Sequence, residues 1–186
     1  MSSLVFLNNT YIVRQKQKED NILWSPSRKL TWQDFKGKNT TGFDTRKAET
    51  TTQIITLNTY YDENEVPVYE IGCFFLPFKS WTITSETFAL EHEQLHFDIG
   101  ELYTRKIRKK FDSLHSVKEK DFEIYRVIFD SLNIKCQKYN TLYDSEVYKL
   151  NEKDEVIFNH RKQKVWINKV KEEMQQLKDY EYTGND

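Results

Sequence analysis

Apolar positions recur at helical spacing through the middle of the chain. Phe88, Leu95, Ile99 and Tyr103 lie three, four or seven residues from His92 and His96 and share one stripe with them, which predicts a long helix over about residues 85–111. Thr84 or Ser85 is placed to cap its start with Glu86 in the first turn, and Arg105, Lys106, Arg108, Lys109 and Lys110 load its C-terminal end as the helix dipole favours. The pattern before this helix has a different period. Thr50 to Tyr60 is rich in Thr, Ile and Tyr, Asp62-Glu63-Asn64-Glu65 reads as a turn, and Val66 to Leu76 alternates with Tyr69, Ile71, Cys73 and Phe75 on one face. These runs predict a β-hairpin, with Pro67 at an edge or at the start of its strand. Val5 to Val13 is a weaker strand, and residues 21–47, with Trp24, Pro26, Gly37 and Gly42 among polar residues, read as loop.

After the long helix, Ser116 and Glu119 have the spacing of a capping box and open a second helix to about Tyr143. A third helix is expected over about residues 158–178, with Trp166, Val170, Met174 and Leu177 on one stripe, and a polar, frayed tail follows from Asp179. The order is strands, then helices. It predicts an α+β fold in a single domain, residues 1–178, with residues 179–186 as the tail. No repeat or interdomain linker divides the chain.

Composition narrows this only a little. The chain has 186 residues, a formal net charge of -1 and 15% aromatic residues. Its length suffices for a sizeable core, and the balanced charge exerts no bulk pull toward nucleic acid or anionic membrane. The basic run Arg105–Lys110, interrupted by Ile107, is the solvated end of an amphipathic helix, so no nucleic-acid partner is expected. No apolar run reaches the roughly 18 residues of a membrane span. Met1-Ser2-Ser3-Leu4-Val5-Phe6-Leu7 lacks the basic region of a signal peptide, and the compartment is not legible, cytoplasmic being expected only where no leader has been removed. A chain whose leader had been removed would read as periplasmic or extracytoplasmic. Cys73 and Cys136 allow one disulfide or none, and oligomeric state is not legible.

The chemistry is concentrated in His92-Glu93-Gln94-Leu95-His96, an H-E-x-x-H motif. With about 3.6 residues per turn, His92 and His96 project from one helix face and can occupy two corners of a zinc tetrahedron. Glu93 beside them is placed to act as general base on an activated water. This pattern predicts a zincin-like metallopeptidase with Zn2+ as cofactor and a peptide or protein as substrate. In such an architecture an edge strand lies over the motif helix and pairs with an extended peptide, and residues 66–76 are the candidate. The histidine continuation of the metzincins is absent, because Ile99 and Leu102 fill those positions. The third ligand must come from another element. A second helix running back antiparallel draws level with the motif near residue 136 and the segment after it. Asp144 is favoured as that ligand, followed by Glu146, with His160, His115, Cys136 and Cys73 as alternatives. Tyr143 is the candidate donor to a developing oxyanion, and Asp98 or an acid of the second helix is the candidate acceptor behind a ligating imidazole.

Several stretches together carry a resemblance. Leu30-Thr31-Trp32-Gln33-Asp34-Phe35-Lys36-Gly37 resembles an L-x-W-x-D-F-x-G opening, Phe78-Lys79-Ser80-Trp81 a Ser-Trp pair before the motif helix, and His92 to Ile99 an H-E-Q-x-H-F-D-I core. With Tyr143-Asp144 and Gln163 to Trp166, they make the chain similar, over about residues 22–177, to the bacterial family known as domain of unknown function 922. The resemblance implies a zinc-dependent, zincin-like protease domain. The family pattern places a His-Gly pair where this chain has Lys149-Leu150, and extra residues precede Asn159. That departure sustains a second expectation: a zinc-stabilised domain, weakly active or inactive, that binds peptides or proteins.

Overall fold

The computed structural model describes residues 20–39, 46–150 and 156–182. The strand expected over Val5–Val13, and Gly42, lie outside these residues. Among the described residues the fold is α+β, with three α-helices and small antiparallel sheets. Strand β1 is Ile22–Leu23, β2 Ala48–Glu49, β3 Thr52–Tyr61, β4 Pro67–Phe75 and β5 Trp81–Thr82. Helix α1 spans Thr87–Ser116 and α2 spans Phe122–Val147; strands β6 (Tyr148–Leu150) and β7 (Val156–Phe158) lead into α3, His160–Gln175.

The expected hairpin is β3–β4. Its turn closes because Asp62 Oδ1 accepts from the N–H groups of Asn64 and Val66, both at 2.8 Å, while Glu65 takes a positive φ of 60°. Ile71, Cys73 and Phe75 are almost fully buried, as the alternation requires, and face α1. The expected placing of residues 66–76 at the edge over the motif helix is corrected. The sheet order is β1-β4-β3, so the C-terminal half of β4 is paired on both sides. The reason is β1, a pair of residues drawn from the stretch read as loop, held by Trp24 N–H donating to Cys73 C=O at 2.9 Å. β4 packs along α1, while β2 and the first residue of β3 line the cavity beside the motif.

Helix α1 is the axis of the molecule. Its sheet side and its α2 side are both apolar: Leu95, Ile99, Leu102 and Ile107 are buried in one cluster with Ile71, Tyr125, Tyr143 and Trp166. Phe97 belongs to a second cluster with Trp24, Leu30, Phe35 and Phe75. Gly100 sits where β4 comes closest, and a Cβ there would meet Cys73 Sγ at 2.6 Å. Cys136 approaches the same turn from the opposite side, its Sγ 3.9 Å from Ile99 C=O. The two thiols are free and buried, and α1 runs between them. Helix α2 returns antiparallel, with Tyr125 packed on Phe111 near one end and Asn140 bonded to His96 near the other.

The caps differ from expectation. Thr84 Oγ1 accepts from Glu86 N–H within the turn after β5, and the α1 N-cap is Glu86, with no side-chain bond. Ser116 donates to Ser113 C=O and Glu119 accepts from Lys120 and Asp121 N–H, so no capping box forms. Asp121 caps α2 by accepting from Glu123 N–H at 2.9 Å, and α2 continues past Tyr143 to Val147. The tail is not frayed through Tyr182. Arg105, 3% exposed, donates to Met174 C=O and the Glu181 carboxylate, and Arg108 donates to Tyr180 C=O. Both guanidiniums also contact Glu101, which is 1% exposed. A charge so deeply buried persists only when paired in this way.

Candidate metal centre

The motif occupies the second and third turns of α1, where its spacing places both imidazoles on one face. Asp144 comes from the last turn of α2. His92 Nε2 and His96 Nε2 are 3.1 Å apart, and Asp144 Oδ1 lies 3.1 Å from the first and 3.0 Å from the second. Among the described residues these three form the one group able to hold a metal ion. Ligand atoms about 2.0–2.1 Å from a tetrahedral zinc are separated by about 3.3 Å, close to this triangle.

Hydrogen bonds fix where the protons of the site sit. His96 Nδ1 lies 2.7 Å from Asn140 Oδ1, while Asn140 Nδ2 donates to Cys136 C=O at 3.1 Å. With its oxygen turned to His96, Asn140 is an acceptor there, so His96 Nδ1 donates and a neutral His96 presents a lone pair at Nε2. Asp144 Oδ1 is buried against both rings, yet despite the short distances neither ring gives it a well-aligned hydrogen bond. Such atoms face a common point more than they face one another. Burial lowers the pKa of His96, but the Asp144 carboxylate, Glu93 and the Asn140 bond outweigh it and raise the value to about 9. Burial raises that of Asp144, but the two imidazoles hold it well below the usual carboxylate range. Both directions follow from the short imidazole–carboxylate contacts, which favour opposite charges on the two partners.

The rest of the site is packing and space. His92 is held by rings: Tyr143 stacks on it at 4.6 Å and Tyr148 meets it edge-on at 4.9 Å. His92 Nδ1 has no hydrogen-bond partner among the described residues. Glu93, 4% exposed, has a buried Oε2 that is likewise unpartnered. The centre opens on a cavity of about 700 Å³. Phe88, Ala89, Val156 and Phe158 line one part of it, and Phe88 and Phe158 are in ring contact at 4.8 Å. Residues 46–52 line another part. That segment is set by two of the stretches that carry the resemblance: Gly37 N–H donates to Ser80 C=O at 2.8 Å, and the buried Ser80 Oγ accepts from Thr51 N–H at 2.9 Å. A Cβ on Gly37 would lie 2.7 Å from Ser80 C=O, so this contact requires glycine.

The structure brings His92, Glu93, His96 and Asp144 together and leaves the other candidates outside. Glu146 is bonded to Lys162 and Trp166, and His160 packs against Phe88 and Phe158. His115 sits at the far end of α1, 3.2 Å from Asp62. Tyr143, the expected oxyanion donor, is fully buried, its hydroxyl bonds Gln163 and its ring faces the imidazoles. Asp98 accepts from Trp24 Nε1 and Gln94 Nε2 at 2.8 and 2.9 Å and touches neither imidazole, so it ties the N-terminal segment to α1 instead. Asn140 and Tyr148 were missed. Asn140 stands one helical turn before Asp144, a position open to inspection once Asp144 is chosen, whereas Tyr148 follows the end of α2 and carries no periodic signal. No family model, no curated protein and no solved structure matches this chain.

Proposed function

We propose that this protein is a metal-dependent peptide hydrolase of zincin-like architecture, with His92, His96 and Asp144 holding a divalent cation, Zn2+ by the character of the ligands. The observation that carries the reading is the convergence of two Nε2 atoms and one carboxylate oxygen within 3.1 Å, beside an unpartnered Glu93 in an open cavity. The resemblance to domain of unknown function 922, which implies a zinc-dependent protease, supports it. When bound, the ion supplies Lewis acidity to water and to the scissile carbonyl.

The chain supplies the rest. Glu93 Oε2 accepts the proton of the attacking water and returns it to the leaving amine. Asn140 keeps the His96 proton on Nδ1, away from the ion. Tyr148 lines the cavity; burial first, then Glu93, raises the pKa of its phenol, so the hydroxyl stays protonated and can donate to the developing oxyanion. Thr51 spends its backbone groups on Ser80 and Leu76, and Thr52, opposite Phe75 in a non-hydrogen-bonded pair, turns its N–H and C=O away from β4. An extended substrate pairs there by strand addition, with an apolar side chain against Phe88 and Phe158.

Glu93→Gln should retain zinc while losing at least about 100-fold in kcat, read by metal analysis and digestion of a peptide library. Cleavage by that variant at the parental rate sinks the protease reading. Zinc bound with no peptide cleaved by the parent favours the binding domain, for which the replacement of His-Gly by Lys149-Leu150 speaks.

A further inference from the structure

A second groove lies away from the metal centre. The half of β4 that β1 does not cover, from Pro67 to Ile71, borders a cavity of about 610 Å³ closed by the end of α1 and by Asp179–Tyr182. The register shows which backbone groups face it. Trp24 N–H takes Cys73 C=O, and Arg108 Nε and Nη2 take Ile71 C=O at 2.9 and 2.6 Å, both on the side of β4 away from β3. Two residues further, Tyr69 stands opposite Thr59, and Asp62 N–H donating to Val66 C=O sets Tyr61 and Pro67 as a non-hydrogen-bonded pair. By alternation the N–H and C=O of Tyr69 also point away from β3, into the groove, and they have no partner among the described residues. An open strand edge of this kind is a template for another strand.

The walls have a definite chemistry. Tyr60, Phe111, Tyr180 and Tyr182 line the groove, Tyr180 and Tyr182 already facing Lys109 and Arg108 at 6.0 and 5.6 Å, and Glu70, Asp112 and Asp179 line it without an ion-pair partner among the described residues. Arg108 is the one guanidinium present, and it is committed to Glu101, Ile71 C=O and Tyr180 C=O. Its alignment with backbone carbonyls also makes this wall of the groove rigid. Unpaired carboxylates among aromatic faces attract cations.

We propose that this groove binds an extended peptide segment of another protein that carries lysine or arginine, as an added strand on the Tyr69 edge. The main chain pairs with Tyr69 N–H and C=O, and the basic side chain lies beside the unpaired acids of the groove. This site is separate from the metal centre and stands whether or not the chain is a hydrolase.

The test is titration of the full chain with acetyl-Val-Lys-Val-Lys-Val-amide and with its Glu counterpart, followed by calorimetry and by amide exchange at Tyr69. The expected result is at least about tenfold tighter binding of the Lys peptide, weakening with salt, and slowed exchange of Tyr69 N–H. Asp112→Asn with Asp179→Asn, both at exposed positions and so harmless to folding, should erase the preference between the two peptides. A backbone N-methylated Lys peptide should lose at least about tenfold in affinity. Equal binding of both peptides, indifference to N-methylation, or a Tyr69 amide already protected in the free chain overturns the proposal, the last because the edge would then already be filled.

Discussion

A single amide orients the triangle of His92, His96 and Asp144. Asn140 accepts from His96 Nδ1 and donates to a backbone carbonyl one turn behind it, so its orientation is locked from within α2. Asn140→Leu should weaken metal retention by about 10–100-fold, measured by competition with a chromogenic chelator, while Asn140→Asp should retain or strengthen it. Loss of metal in both variants alike would instead mean a packing role. This residue illustrates what spacing conveys. H-E-x-x-H is legible because one helix holds the whole motif, and Asp144 was reached by counting an antiparallel return. The directions of Tyr143 and Asp98 are not legible because they depend on neighbours from elements distant in sequence: Gln163 draws one hydroxyl inward, and Trp24 draws one carboxylate to the opposite face.

At the scale of elements, the long runs were legible and the short ones were not. The β3–β4 alternation and the stripe of α1 stand out because burial imposes periods of 2 and 3.6 over many residues. β1 and β2 are each a pair of residues, too short for any period, and β1 alone changes the place of β4 from edge toward middle. Caps were missed because hydroxyls and carboxylates have several local backbone partners within reach. Where β4 meets α1, the fit has no slack. Gly100→Ala should destabilise by about 1–3 kcal/mol in a denaturant titration, since the new methyl collides with Cys73 Sγ 2.6 Å away. Cys73→Ala in the same chain should recover most of the loss, and the failure of that rescue would place the strain elsewhere.

Across the whole molecule, the C-terminal segment is bolted to α1 by charges out of water. Arg105 bonds Glu101, Met174 C=O and Glu181, with 3% of its own side chain exposed. Arg105→Met should cost about 3–5 kcal/mol, read as a lower denaturant midpoint, because it leaves Glu101 short of a partner in a buried place. An exchange-labelling experiment on the same variant should show residues 176–182 opening before the sheet. None of this was visible in the sequence, where the basic run of α1 read as a solvated helix end. Its members face different directions, and at Arg105 and Arg108 the fold turns two of the charges inward.

His92 and His96 belong to α1 and Asp144 to α2, so an ion seated between them is a staple across a connection of about fifty residues. Such a staple removes freedom from the open chain as well as adding bonds to the closed one. Loading at a hundredfold excess over the dissociation constant should raise the unfolding free energy by about 2.7 kcal/mol, and a chelator should then lower the melting temperature of this protein with no change in its sequence.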